Sequence, residues 1–215
     1  MKAAPLVILF LVALVPGAAV AALDPRLAAR LDAETAAAVG EVIDGARTKG
    51  LPVEPLVDRA LEGSSRQAAG SRIIASVRSL AAELETAREA LGSGSSSAEL
   101  VAGAAALSAG LRPDTLARLR LARPEAPLVV PLVVLTDLVT RRVPVETAAA
   151  AVLAATRARV PDRDLMRLRQ RIDYDIRSGA SPGKSTIART RNLIGTFESS
   201  PQGSRQPAPR RGSGP

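Results

Sequence analysis

The sequence predicts an all-α protein: an irregular bundle or short solenoid of about eight or nine short helices joined by Gly/Pro corners. Three observations lead there. Alanine and leucine dominate while aromatic residues make up 1% of the chain, and helices favour Ala, Leu, Arg and Glu where strands favour aromatic and β-branched residues. One stretch carries a helical seam, with Ile73, Val77, Leu80, Leu84, Ala87 and Leu91 spaced alternately by four and three. A helix junction also recurs five times, at Gly50-Leu51-Pro52, Gly110-Leu111-Arg112-Pro113, Arg142-Val143-Pro144, Arg159-Val160-Pro161 and Gly179-Ala180-Ser181-Pro182.

The junction has a plain physical reading. Gly or Arg ends one helix, a small or apolar residue plugs the corner, and proline opens the next helix, where its missing N–H costs nothing. In four of the five an acid follows (Glu54, Asp114, Glu146, Asp162) and sits against the positive end of the new helix. The spacing of the prolines is irregular, so no regular repeat array is expected.

The first 21 residues read as a secretory signal peptide. Lys2 precedes an apolar run from Ala3 to Val15, Pro16-Gly17 breaks it, and Ala19-Val20-Ala21 supplies small residues for cleavage after Ala21. The alternative is a membrane anchor over residues 3–23. The expected location is therefore exported, periplasmic or extracellular, with membrane contact only through an uncleaved N-terminal segment.

Residues 22–92 form a first helical segment. Asp32 opens an apolar-periodic stretch through Val39, Val42, Ile43 and Ala46 that stops at Lys49-Gly50. A short helix follows from Pro52 to about Leu61, closed by Gly63-Ser64-Ser65, and then comes the seam helix. Residues 93–97 read as a Gly/Ser linker and a subdomain boundary. A second helical segment, 98–195, holds helices at 98–109, 113–122, 128–141, 145–158, 162–177 and 182–194. Within it LVVPLVVL at 128–135 is rich in valine, but Pro131 would remove a ladder donor from a central strand, so the stretch reads as helix. Residues 196–215 are Pro-, Gly-, Ser- and Arg-rich and should form a disordered basic tail.

Composition narrows the chemistry. There is no Cys and no His, so disulfides, thiolate metal sites and the commonest general base are excluded. Scarce aromatics argue against base- and sugar-stacking platforms, and no nucleic acid, cofactor or metal is expected. The formal charge is +8, and 26 of the 29 basic residues are arginine. That excess reflects either a coding bias or affinity for polyanions.

Two local motifs look chemical and fail. SGASPGKST at 178–186 resembles a phosphate loop, but Ser178 occupies the first glycine position and a helical pattern precedes it. Ser181-x-x-Lys184 has the spacing of a serine nucleophile and its lysine, yet no Lys-Thr-Gly or Ser-x-Asn accompanies it. Asp173 and Asp175 fall two apart on a helix, on different faces, and should pair with Arg169, Arg171 or Arg177.

What remains is an arginine cluster. Arg163, Arg167, Arg169, Arg171 and Arg177 form a candidate docking face for an acidic partner, against the default of a solvated mixed-charge face. Arg205, Arg210 and Arg211 are candidate tail contacts. The expectation is an exported, non-enzymatic interaction or scaffold protein of the cell envelope. The alternatives are a cationic module for envelope polyanions or acidic lipid headgroups, and an enzyme using only carboxylates, Ser, Lys or Arg.

Overall fold

The computed structural model describes residues 24–199, so the expected signal segment and Arg205, Arg210 and Arg211 of the tail lie outside the described residues. Those residues form ten helices and no strand: α1 (Pro25–Ala28), α2 (Ala33–Thr48), α3 (Glu54–Ser65), α4 (Gly70–Leu91), α5 (Ser97–Ser108), α6 (Pro113–Ala122), α7 (Val129–Thr140), α8 (Val145–Arg157), α9 (Asp162–Arg177) and α10 (Pro182–Ser199). The tenth helix, beyond the eight or nine expected, is the single turn α1, where Asp24 accepts from the Arg26 N–H and Leu27 is buried.

From α4 onward the helices stack in two rows. Helices α4, α6, α8 and α10 follow one another in one row, and α5, α7 and α9 in the other. The rows are tied by α4 against α5, α7 against α8, and α9 against α10. Helices α1 to α3 close the start of the stack, with α2 and α3 both packed on α4. All six seam residues of α4, from Ile73 to Leu91, are buried, because α4 is covered by α2, α3, α5 and α6.

The five proline junctions share one backbone device. Gly50, Gly110, Arg142, Arg159 and Gly179 all have positive φ, from +56° to +94°. At each, the next residue's N–H bonds to a carbonyl five residues back: Leu51 to Ala46 at 2.9 Å, Leu111 to Ala106 at 3.1 Å, Val143 to Leu138 at 3.0 Å, Val160 to Ala155 at 3.0 Å and Ala180 to Asp175 at 2.9 Å. This is the left-handed C-cap, which satisfies orphan carbonyls while reversing the chain. Leu51, Leu111, Val143 and Val160 are buried as corner plugs, whereas Ala180 is exposed.

Three expectations need correction. Helix α3 runs through Gly63-Ser64-Ser65 instead of stopping near Leu61. Its left-handed residue is Gln67, with the Ala68 N–H bonded to Gly63 O at 3.0 Å, and Ser64 Oγ ties the helix end to Arg30 O. Helix α10 likewise passes Gly195 and ends at Ser199, so residues 196–199 belong to the fold and not to the tail. Its outer turn is seated by Leu193 and Phe197, which pack on the core.

The third correction concerns the Gly/Ser linker. One hydrophobic cluster runs from Leu27 to Ile172, with Leu91 and Leu100 buried on either side of residues 93–97. That stretch is a tight corner between two packed helices. Ser96 caps α5 in a reciprocal box with Glu99. Glu99 goes further: one oxygen accepts from the Ser96 N–H at 2.9 Å and its hydroxyl, and the other accepts from Arg120 and from the Leu128 N–H at 2.9 Å. Arg120 in turn donates to Leu91 O and to the carbonyls of Arg123, Pro124 and Ala126. This pair therefore pins the end of α4, the start of α5, the 123–127 loop and the start of α7. Helix α7 itself tolerates Pro131 because that residue lies in its first turn, where no intrahelical N–H bond is lost.

Burial alone pushes the Glu99 carboxyl up, but the Ser96 and Leu128 N–H groups, Arg120 and the Ser96 hydroxyl outweigh it and hold it at about 2. A depressed carboxylate stabilises the fold above its ordinary value of 4.5 and loses that contribution as pH falls towards 2.

Two predictions follow from these contacts. Arg159→Gly removes a side chain from a left-handed residue and should raise stability by up to about 1 kcal/mol, while Gly110→Val should lower it by about 1–2 kcal/mol. Urea unfolding midpoints at neutral pH measure both. Glu99→Gln should cost about 2–3 kcal/mol at pH 7, and the gap to the parent protein should narrow as pH falls from about 4.5 to about 2. A gap that stays constant over that range would contradict the role given to the carboxylate.

Candidate functional site

Helix α9 is where the arginine cluster meets the fold. Leu165, Leu168 and Ile172 are buried at spacings of three and four, so one stripe faces the core and the charged residues occupy the rest. The five arginines of the expected docking face do not act alike. Arg169 turns across to α7 and donates to Asp137 at 2.8 Å. Arg177 pairs with Asp173, which also receives Arg141, the residue that caps the C-terminus of α7. Arg141 lies 3.8 Å from Asp137 as well, so a chain of alternating charges, Arg169–Asp137–Arg141–Asp173–Arg177, stitches α7 to α9.

Arg163 and Arg167 share Asp164, at 3.5 and 3.0 Å, and both are largely exposed, where such pairs contribute little. Arg171 is exposed and has no ion pair among the described residues. Of the pairings expected for the two aspartates, Asp173 with Arg177 is present. Asp175 instead faces α10.

Asp175 explains the SGASPGKST stretch. It accepts from Ser185 Oγ at 2.6 Å and from the Arg189 fork, Nε and Nη2, both at 2.8 Å. The Arg189 fork first and the Ser185 hydroxyl second hold its carboxyl at about 2, against the opposing pull of burial. The chain turns at Gly179, with φ +92°, and α10 begins at Pro182. Ser181 and Lys184 are exposed at that start, and Ser181 contributes its carbonyl to the Ser185 N–H at 2.9 Å. The stretch follows a helix and is a latched corner.

Beyond the latch, α9 and α10 enclose a cleft of about 300 Å³. Its floor is Leu168, Leu193 and Phe197, and its rim carries Arg167, Arg171 and Asn192. Arg189 reaches it from the latch side and Asp164 from the opposite wall. A guanidinium without an acid beside an apolar floor suits a carboxylate with an apolar neighbour, because Arg presents a planar fork to both oxygens. The α10 half of this cleft was not legible in advance. Ending the helix at 194 assigned Phe197 to the tail. The usable signal was Leu193 and Phe197 four apart, which continues the helical face.

Among the described residues no group of three acidic, Cys or His side chains is placed to hold a metal, and no helix is long and apolar enough to cross a membrane. No protein-family model, curated protein or solved structure matches the chain.

The latch is directly testable. Asp175→Asn should leave the fold intact but speed amide exchange in α10 by about tenfold relative to α4, since among the described residues α10 packs mainly on α8 and α9 whereas α4 is covered by four helices. Unchanged exchange in α10 would show that the latch does not hold the helix.

Proposed function

We propose that this chain is an exported, non-enzymatic helical interaction protein of the cell envelope, and that its α9–α10 cleft receives an acidic segment of a protein partner. Export is supported by the layout of residues 1–21: one cation, an apolar run, a break, then small residues. The docking role rests on one observation. Arg171 stands exposed at the rim of an apolar-floored cleft with no acid assigned to it, while its neighbours Arg169 and Arg177 are each held by an aspartate.

A second reading, a cationic module for polyanions or acidic lipid headgroups, is favoured by Arg157 and Arg159. Both are exposed at the corner before α9 and have no ion pair among the described residues.

Fluorescence anisotropy separates the two readings. The probe is a labelled peptide of alternating Glu and Leu, and polyphosphate serves as the competitor. Under the docking reading, Arg171→Glu weakens peptide binding by about tenfold and Arg157→Glu by less than about twofold. Equal losses from both, with polyphosphate displacing the peptide, favour the polyanion reading. Absence of any peptide binding sinks the docking role. Export is checked by the N-terminus of the protein recovered from cells: a start at Ala22 is expected, and a start at Met1 goes against cleavage.

A further inference from the structure

The opposite side of α10 carries a second surface, independent of the acidic-partner reading. Helix α10 buries small polar residues, while its two isoleucines stay largely outside. Ser185, Thr186 and Thr190 are buried, whereas Ile187 is 51% exposed and Ile194 only half-buried. Helices α8 and α10 start side by side, since a Cβ on Gly183 would lie 3.5 Å from Pro144 Cδ, and they run in the same direction. Between them lies an apolar trough of about 620 Å³. Ala150, Ala151 and Ala154 line the α8 wall, and Ile187 and Ile194, seven residues apart, line the α10 wall. One wall is cut back and the other projects.

The rim carries one charge of each sign, Glu146 and Arg191. Both are exposed, and neither has an ion pair or side-chain hydrogen bond among the described residues.

We propose that a second copy of this chain fills the trough, forming a two-fold dimer through the α8–α10 face. A two-fold interface uses the same patch on both copies, so the patch must complement itself. This one does. An axis along the trough lays α8 of each copy over α10 of the other. The isoleucines of each copy then settle on the alanines of the other, and Glu146 of each lies on the rim facing Arg191 of the other, whose long side chain leans back towards the start of its helix. The remaining segments of the chain fit less well. Residues 200–215 hold no side chain larger and more apolar than proline. The apolar N-terminal stretch joins the fold at α1, which packs on α2 and α3, at the far end of the stack.

The test is sedimentation equilibrium of the full chain over a concentration series. The expected mass is twice that of one chain. Glu146→Arg alone and Arg191→Glu alone should each weaken association by about tenfold or more, because each sets like charges against each other across the axis. Mixing the two variants should restore a one-to-one complex, since one charge pair is then reformed with reversed sign and the other keeps its native sign. A single-chain mass at every concentration overturns the proposal, and binding of dodecanoate to that single chain would assign the trough to an aliphatic ligand. Association indifferent to both swaps also overturns it, because the contact would then lie elsewhere, the apolar N-terminal stretch included. So do swaps that weaken association without recovery on mixing.

Discussion

The stack depends on a backbone constraint repeated at its corners. Each of five helices ends on a residue with positive φ, and the following N–H reaches back five residues to close the helix end. This turn reverses the chain within two or three residues, and so it fixes where the next helix must start. A buried plug such as Leu111 or Val143 then locks the angle against the core. Two of the five positions are arginines, which adopt this conformation less readily than glycine. Tertiary packing of the buried plugs Val143 and Val160 holds the turn there although the local preference opposes it.

Where this corner is absent, a buried ion pair takes its place. Residues 92–97 and 123–128 contain no left-handed plugged turn of the same kind, and both meet at Glu99 and Arg120. A partly buried ion pair is sustained when its remaining polar atoms are satisfied. Here Glu99 accepts from two backbone N–H groups, Ser96 and Leu128, besides the Ser96 hydroxyl and Arg120, and Arg120 gives its other donors to the carbonyls of Leu91, Arg123, Pro124 and Ala126. The first half of the stack is thereby joined to the second without a break in the core.

Helix α10 borders two surfaces of the stack. Among the described residues it is the last of its row and packs mainly on α8 and α9, with the Asp175–Arg189–Ser185 latch at its base. Against α9 it forms a cleft with an unpaired arginine; against α8 it forms an apolar trough with opposite charges on its rim. The two surfaces are chemically distinct, one rimmed by arginines and the other apolar between a Glu and an Arg.

The sequence alone determined what is local. The all-helical class, the α4 seam and the five corners follow from spacings of three and four and from Gly, Arg and Pro at helix ends, all settled within about one turn of chain. The same logic read LVVPLVVL correctly as helix and dismissed SGASPGKST as chemistry. Tertiary structure decided what lies between distant segments. Glu99 finds Arg120 and Leu128, Asp173 finds Arg141, and Asp175 finds Arg189, over separations of 14 to 32 residues. No spacing rule encodes these pairs, because they exist only once the corners have set the rows. The arginine face is mixed in this respect: Arg163, Arg167 and Arg177 pair with acids one to four residues away on α9 itself, and only Arg169 finds its acid, Asp137, through packing. Packing also decided α10, whose amphipathic pattern does not reveal that α8 meets it with alanines and leaves its isoleucines outside.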